Sequence, residues 1–329
     1  MKVLITGGCG FIGYNFVNYI TSKNLESLEV TVLDSLVSNT SKQNSKLLPE
    51  NVDFIHSDIN EIDNYSHLLL NTDVVFNFAA ETHVDNSIFD PNVFIRSNVL
   101  GLSTLLQNCH KNGIKDFIHI STDEVYGSSE TKFFNESDSL NPSSPYSASK
   151  AAAELICNSF TKTYGYKIKI VRPANNYGIF QQPEKLIPFS IANLLNGGNI
   201  EIYGDGLNVR HWLHVDDTCE GIYTIFQKGE YGEVYNIGSD QYSSNIDLMK
   251  SLIEIMSVKE EKIIFVPDRP GHDFRYAINI EKLQNLGWNP KKHIQDDFNK
   301  TVSWYVNNQN WWLENYKEVL RKRENRLGL

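Results

Sequence analysis

Cysteine is scarce and unpatterned in this chain: Cys9, Cys109, Cys157 and Cys219 are scattered, with no CxxC spacing. That argues against a zinc site or a disulfide framework, and the four read as reduced, mostly buried thiols. Long apolar runs are missing too. No stretch approaches the roughly 18 apolar residues of a spanning helix, and the opening MKVLITGG is too short for the core of a signal peptide, so a cytoplasmic location is expected. Positive charge is in deficit, with 30 Lys and Arg against 40 Asp and Glu and a net charge of −10. A broad basic face for nucleic acid or anionic membrane is therefore not expected, and an anionic ligand must be met by local cations. No internal repeat or low-complexity tract stands out. What the chain has is length and ordinary globular composition: 329 residues, 41% hydrophobic and 21% charged. That suffices for two domains, or for one large α/β domain with a lobe attached.

The first half alternates short β-branched runs with longer helical patterns. KVLIT is followed by a helix over Phe11 to Lys23, then come VTVLD, VDFIHSDI and DVVFNFAA, and a helix over Asn92 to Lys111. DFIHIS, a helix from about Tyr146 to Tyr164 and KIKIVRP complete the series. Continuous apolar strands separated by helices predict a doubly wound parallel sheet covered on both faces. Beyond about Asn175 the rhythm breaks into Gly- and Pro-punctuated loops and shorter helices. This predicts a dinucleotide-binding domain over residues 1–174 and a smaller mixed α/β substrate lobe over 175–329, with the chain crossing back at least once. The stretch SNTSKQNSKLLPEN after Asp34 reads as a mobile polar loop, and the aromatics of the helical C-terminal segment read as packing.

Directly after the first strand, TGGCGFIG places Gly7, Gly10 and Gly13 three apart before an amphipathic helix. Glycines there allow a tight turn, close approach of a pyrophosphate and close helix-strand packing, while the helix N-terminus offers amide donors. Asp34 ends the second strand, where a carboxylate can accept from both ribose hydroxyls and would repel a 2′-phosphate; NAD is expected rather than NADP. Asp58, ending the third strand, could reach the adenine. Ala79 and Ala80, after the fourth, would let a cofactor lie close to the backbone. Together these point to a Rossmann sheet.

SPYSASKAAAE puts Tyr146 and Lys150 four apart on one helix face. A phenol is a poor base near neutrality, but an adjacent ammonium and a nicotinamide's positive charge both favour phenolate. Tyr146 is thus a candidate proton acceptor from an alcohol being oxidised. At the end of the fifth strand, Thr122, Asp123 and Glu124 follow one another. Two crowded carboxylates in a half-buried site tend to split their pKa values, as an acid and a base serving one reaction must.

TGGxGxxG, the strand-end Thr and YxxxK together resemble the extended short-chain dehydrogenase/reductase family. AAETHVDNSI, STDEVYG, PYSASKA, RPANNYG, PEKLIP, YGDGLNVRHWLHVDD, YNIG and DRPGHDFRYAI follow in the order seen in nucleotide-sugar 4,6-dehydratases of the dTDP-glucose 4,6-dehydratase type. The resemblance implies a hydro-lyase that takes a hydride from C4 of an NDP-hexose with NAD, eliminates water across C5 and C6, and returns the hydride to C6. It implies Asp123 as acid, Glu124 as base, and Thr122 bonding the sugar near O4 beside Tyr146. For the cofactor it implies Phe11, Ile12, Ile59, Ser97 and Asn176 in addition to the residues above, with Tyr146 and Lys150 reaching it as well. For the substrate it implies Thr82, Asn175, Lys185, Leu186, Glu201, Ile202, Tyr203, Arg210, Asn245, Arg269 and His272. It further implies a homodimer through the helices near Asn92 and Tyr146, with no metal, nucleic acid or membrane partner. Three positions depart from the pattern: Asn86 stands for the usual arginine, Cys9 for a small alanine and Ser97 for a threonine. A UDP- or GDP-linked hexose, a 4-epimerase or 4-oxidase that leaves Asp123 idle, and a non-catalytic NAD sensor are the competing readings.

Overall fold

The computed structural model of the chain describes residues 1–23 and 25–327. Its strands are β1 (Lys2–Thr6), β2 (Glu29–Asp34), β3 (Val52–His56), β4 (Val74–Asn77), β5 (Asp116–Ile120), β6 (Ile168–Pro173), β7 (Asn175–Tyr177), β8 (Ile200–Tyr203), β9 (Val209–His214), β10 (Val234–Ile237), β11 (Tyr242–Ser244) and β12 (Ile263–Val266). The main helices are α1 (Phe11–Ser22), α2 (Asn39–Ser45), α3 (Val84–Phe89), α4 (Leu102–Lys111), α5 (Pro145–Tyr164), α6 (Leu186–Leu195), α7 (Val215–Lys228), α8 (Asn245–Ile255), α9 (Ile294–Asn307) and α10 (Gln309–Leu327).

Seven strands pair in parallel in the order β10-β6-β5-β4-β1-β2-β3, the doubly wound arrangement expected from the apolar strands. β4 is buried at every position because helices cover both faces. One core, with Val3, Ile5, Phe16, Val32, Phe76 and Ile118, lies under α1 and α7; a second, with Leu4, Val75, Leu105, Phe117 and Ala153, lies under α4 and α5. Such an order reverses direction between β1 and β4, and ligands bind outside the C-terminal strand ends at that reversal. The later part of the chain adds the β11-β9-β7 and β12-β8 sheets. They pack with α6, α8, α9 and α10 around a third core that includes Ile187, Ile202, Trp212, Leu252, Tyr305 and Trp312. The C-terminal aromatics are packing: Trp312 and Tyr305 are fully buried.

Two local expectations change. The polar stretch after Asp34 is not an unstructured loop, because α2 forms within it, capped by the Ser38 hydroxyl accepting from the Ser41 amide. Tertiary bonds hold it where composition alone could not: Asn44 donates to the Cys9 carbonyl at 3.0 Å and accepts from the Trp311 indole at 2.8 Å. The helix through Asn92 to Lys111 widens into a π-helical turn over Ile95–Gly101. Among the described residues no helix is long and apolar enough to cross a membrane, and no group of His, Cys, Asp or Glu is placed to hold a metal ion.

Candidate active site

The glycine turn is built for close approach. Gly7 has φ +69°, and a Cβ there would lie 2.5 Å from the Ala79 amide nitrogen; a Cβ on Gly13 would lie 2.3 Å from the Gly7 carbonyl oxygen. Gly10 begins α1 with no side-chain cap and no acidic residue in the first turn, so the helix's first amides remain available to a phosphate. Asp34 is buried and already accepts from two amides, Cys9 at 2.9 Å and Leu36 at 2.8 Å. Those bonds fix the carboxylate beside the turn, while burial raises its pKa against them. Asp58 receives the Asn60 amide and side chain, both at 2.8 Å. Ile59 packs where a Cβ on Gly101 would meet it at 2.8 Å. Ala79 and Ala80 follow β4 after Phe78, half-buried, and Ser97 sits half-buried in the π turn. Phe11 is part of the first core, with Ile12 packed against it. A cradle that side chains would fill, an uncapped helix start and a fixed carboxylate fit a dinucleotide.

Asn98, in the same π turn, was not singled out by any sequence motif. Buried, it bonds both backbone groups of Glu81 and donates to Ser149 at 2.9 Å, tying the β4 loop to α5. Only the widened helix turns it inward, a signal the 3.6 period conceals.

Thr122, two residues beyond β5 and still extended, caps a 3-10 turn, Asp123–Tyr126, by accepting the Glu124 amide at 3.3 Å. The cap turns both carboxylates back toward α5. Asp123 is buried; one oxygen accepts from Thr122 at 3.4 Å and Oδ2 has no partner. Burial first, then Glu124, push its pKa well above the carboxylate range, only partly offset by Arg210. Glu124 is raised by burial too, but Arg269, Lys185 and Arg210 oppose the rise. One carboxyl is thus biased toward the protonated form, and the other keeps three cations in its favour.

Tyr146 and Lys150 lie on the inner face of α5, which opens with a Ser144–Ser147 capping box and Pro145 in its first turn. Tyr146 shares a hydrogen bond with Thr122, yet burial and Glu124 raise its pKa. The Lys150 ammonium donates to the Ile120 carbonyl at 2.6 Å, and burial lowers its pKa to about 8. Within the protein alone, then, the phenol's surroundings oppose phenolate, and Lys150 is spent on a strand end. Beneath the pair, Glu154 and Arg172 form a buried ion pair, and Arg172 also donates to the Tyr126 hydroxyl.

The substrate-side candidates form a second ring. Lys185 precedes α6 and donates to the Thr82 carbonyl at 2.7 Å; Leu186 is half-buried beside it. Arg210 is buried, donates to the carbonyls of Val209, Phe274 and Asp273, and lies 4.3 Å from the centre of the Tyr276 ring. Arg269 pairs with Asp85 at 2.7 Å, and His272 meets Asp268 at 2.6 Å. Tyr203 donates to Asp85 at 3.0 Å, Glu201 pairs with Arg323 of α10, and the Ile202 side chain faces the third core. Asn245 starts α8, its amide on the Asn208 carbonyl at 3.1 Å. Asn176 is held on both sides, donating to the Ala174 carbonyl and accepting from Thr218. Asn86 lies in the first turn of α3, and Cys9 is fully buried in the glycine turn.

Sequence reasoning missed Tyr276 and Asp273. Tyr276 reaches Glu124 at 3.5 Å and donates to Asp273 at 2.7 Å, and Ser143 donates to the same Asp273 oxygen. Buried side-chain atoms without a partner include Asp123 Oδ2, Ser121 Oγ, Asn175 Oδ1 and Arg269 Nε. Buried polar groups are normally satisfied, so Asp123 Oδ2 and Arg269 Nε, both on residues expected at the site, are free to meet a polar ligand.

Fold and site together define a dinucleotide-dependent α/β enzyme. The family profile described as GDP-mannose 4,6 dehydratase matches residues 4–301. A dTDP-glucose 4,6-dehydratase of Streptomyces antibioticus is 41% identical over 98% of this chain and 96% of its own. The low-salt glycan biosynthesis protein Agl12 of Haloferax volcanii is 42% identical over 93% of this chain and 99% of its own. The crystal structure of a double mutant of DesIV, a dTDP-glucose 4,6-dehydratase from Streptomyces venezuelae with NAD bound, superposes with a TM-score of 0.92 at 39% identity, covering 96% of this chain and all of that one. The chain belongs to the nucleotide-sugar 4,6-dehydratases of the dTDP-glucose type, within the extended short-chain dehydrogenase/reductase family.

Proposed function

We propose that this protein converts an NDP-hexose, dTDP-glucose first among candidates, to its 4-keto-6-deoxy sugar, using NAD. The observation that carries this reading is the Thr122–Asp123–Glu124 turn after β5, which sets two carboxyls beside Tyr146, Asp123 buried with one oxygen unpartnered and Glu124 facing Arg269, Lys185 and Arg210. A bound nicotinamide supplies the hydride acceptor for C4 and the hydride donor for C6, leaving no net redox change.

The chain's own groups supply the rest. Tyr146 removes the O4 proton, with Thr122 hydrogen-bonded to both phenol and sugar and Lys150 one turn further along α5. Once C4 is a ketone the C5 proton is acidified, and the Glu124 carboxylate takes it. Asp123, kept protonated by its burial, gives its proton to the departing C6 hydroxyl, which leaves as water. Each such proton transfer contributes roughly 10²–10⁴ in rate. The glycine turn, Asp34, Asp58 and the alanines after β4 hold the dinucleotide, so residues 1–174 serve mainly the cofactor. Residues 175–329 serve mainly the nucleotide sugar: Asn175, Arg210, Asn245, Arg269 and His272 meet the diphosphate region, Lys185 and Leu186 line the nucleotide, and Glu201, Ile202 and Tyr203 meet the base and ribose.

Exposed Val93, Ile95, Leu100 and Leu155 on the helices near residues 91–101 and on α5 support a homodimer through that face. Four buried, unpaired cysteines support a reducing, cytoplasmic setting. The test is a panel of NDP-hexoses followed by mass spectrometry. The expected product is lighter by one water, without accumulated NADH. Retained mass with inverted C4 would favour the epimerase reading, and absence of turnover or binding the sensor reading.

A further inference from the structure

The loop leaving β4 carries a carboxylate that the reaction does not account for. Asp85, in the first turn of α3, accepts from Arg269 Nη1 at 2.7 Å through Oδ1 and from the Tyr203 hydroxyl at 3.0 Å through Oδ2. Its two partners lie 184 and 118 residues away in sequence, one in the 268–272 loop and one at the end of β8. Burial acts to raise the Asp85 pKa, but Arg269, His83 and Tyr203 outweigh it and hold the carboxyl ionised. Three residues before it, the Thr82 carbonyl takes the Lys185 ammonium. This one loop therefore holds two of the three cations that act on Glu124.

A guanidinium is planar, so anchoring one nitrogen on a carboxylate sets the direction of its remaining edge. Arg269 is anchored in that way, with Tyr203 fixed by the same carboxylate and its ring centre 5.8 Å from the guanidinium carbon. The Nε edge is buried and has no acceptor in the protein. A buried donor left unpaired is costly, and a phosphate oxygen would satisfy it.

We propose that Asp85 is a positioning residue for the diphosphate of the nucleotide sugar: it presents the Nε edge of Arg269 to that group and locks Tyr203 beside it, joining the β4 loop to the substrate lobe. A carboxylate is required because both of its oxygens are used as acceptors; an asparagine would turn a donor toward Arg269 or Tyr203. This inference rests on the nucleotide-sugar reading above.

The test is calorimetric titration of the NAD-loaded protein with dTDP, UDP and GDP, for wild type, D85N, D85E, Y203F, R269Q and the D85N/R269Q double variant, together with kinetics on the hexose that the wild type turns over. D85N is expected to weaken the nucleoside diphosphate about 10- to 100-fold, the span of one charge-assisted hydrogen bond. KM should rise by a similar factor while kcat falls less, NAD affinity should hold, D85E should recover most of the loss, and D85N should add nothing in the R269Q background. Unchanged nucleotide affinity in D85N overturns the proposal. So does an equal loss in the R269Q background, which would mean that Asp85 acts independently of Arg269. A parallel fall of NAD affinity and Tm would show a merely structural role and overturns it too. Should D85N fail to fold, Y203F decides: weaker diphosphate binding supports the proposal and wild-type binding overturns it. If the wild type binds none of the three diphosphates, the nucleotide-sugar reading falls as well; if it binds one and D85N matches it, only the role of Asp85 falls.

Discussion

Asp123→Asn separates the two halves of the proposed reaction. The amide matches the carboxyl in size but has no proton to give, so water elimination should slow by roughly 10²–10⁴. C4 oxidation depends on Tyr146 and Lys150 and should survive. A 4-keto sugar that still carries its C6 hydroxyl should therefore accumulate, with reduced cofactor visible by absorbance. In D2O, Glu124 should exchange its C5 proton for deuterium. Rapid-quench mass spectrometry reads both. The same substitution has a stability signature. Asp123 Oδ2 is buried without a partner, and the folded state holds the Asp123 proton more tightly than the unfolded chain does. Ionising it costs stability progressively as pH rises above the ordinary carboxyl range. Removing a buried, partnerless carboxyl that the unfolded chain ionises more readily is worth about 1–3 kcal/mol. With ~2.1 cal/mol/K per residue over 329 residues, Tm should rise by about 1–4 °C near pH 8 and by nothing near pH 4. Equal slowing of oxidation and dehydration, or a Tm change independent of pH, would refute the assignment of Asp123 as the buried acid.

Gly13→Ala places a methyl 2.3 Å from the Gly7 carbonyl oxygen, so NAD affinity should fall steeply in a fluorescence titration; wild-type affinity would mean that the turn does not hold the dinucleotide. With the Lys150 pKa lowered to about 8, its ammonium is lost as pH rises through that value, and kcat should decline on the alkaline side. K150R, charged throughout, should move that limb upward, and an unmoved limb would assign it to another group. Glu154→Gln leaves Arg172 as an uncompensated buried charge, costing about 3–5 kcal/mol in denaturant titration. Because Glu154 also raises the Lys150 pKa, the alkaline limb should shift down in that variant; a stable protein with an unmoved limb would contradict both.

Much of the candidate site's layout was legible locally. The Gly7, Gly10 and Gly13 spacing, Asp34 at a strand end and the four-residue step from Tyr146 to Lys150 each follow from one element's periodicity. The α2 segment was misread because its helix depends on Asn44 meeting Cys9 and Trp311, contacts between parts of the chain that no window spans. Tyr276, Asp273 and Asp85 escaped for the same reason: each acts on a residue more than a hundred positions away.

The sequence by itself determined the doubly wound sheet, the glycine turn after β1 and the adjacent carboxyls after β5, since alternation, glycine spacing and adjacency are properties of short stretches. Only the tertiary structure decided which state each group takes. The unlike environments of Asp123 and Glu124, the raised phenol of Tyr146 and the anchoring of Arg269 by Asp85 arise from burial and from charges that distant segments bring together. Electrostatic energy depends on separation in space and on access to water, and neither is written in the order of residues.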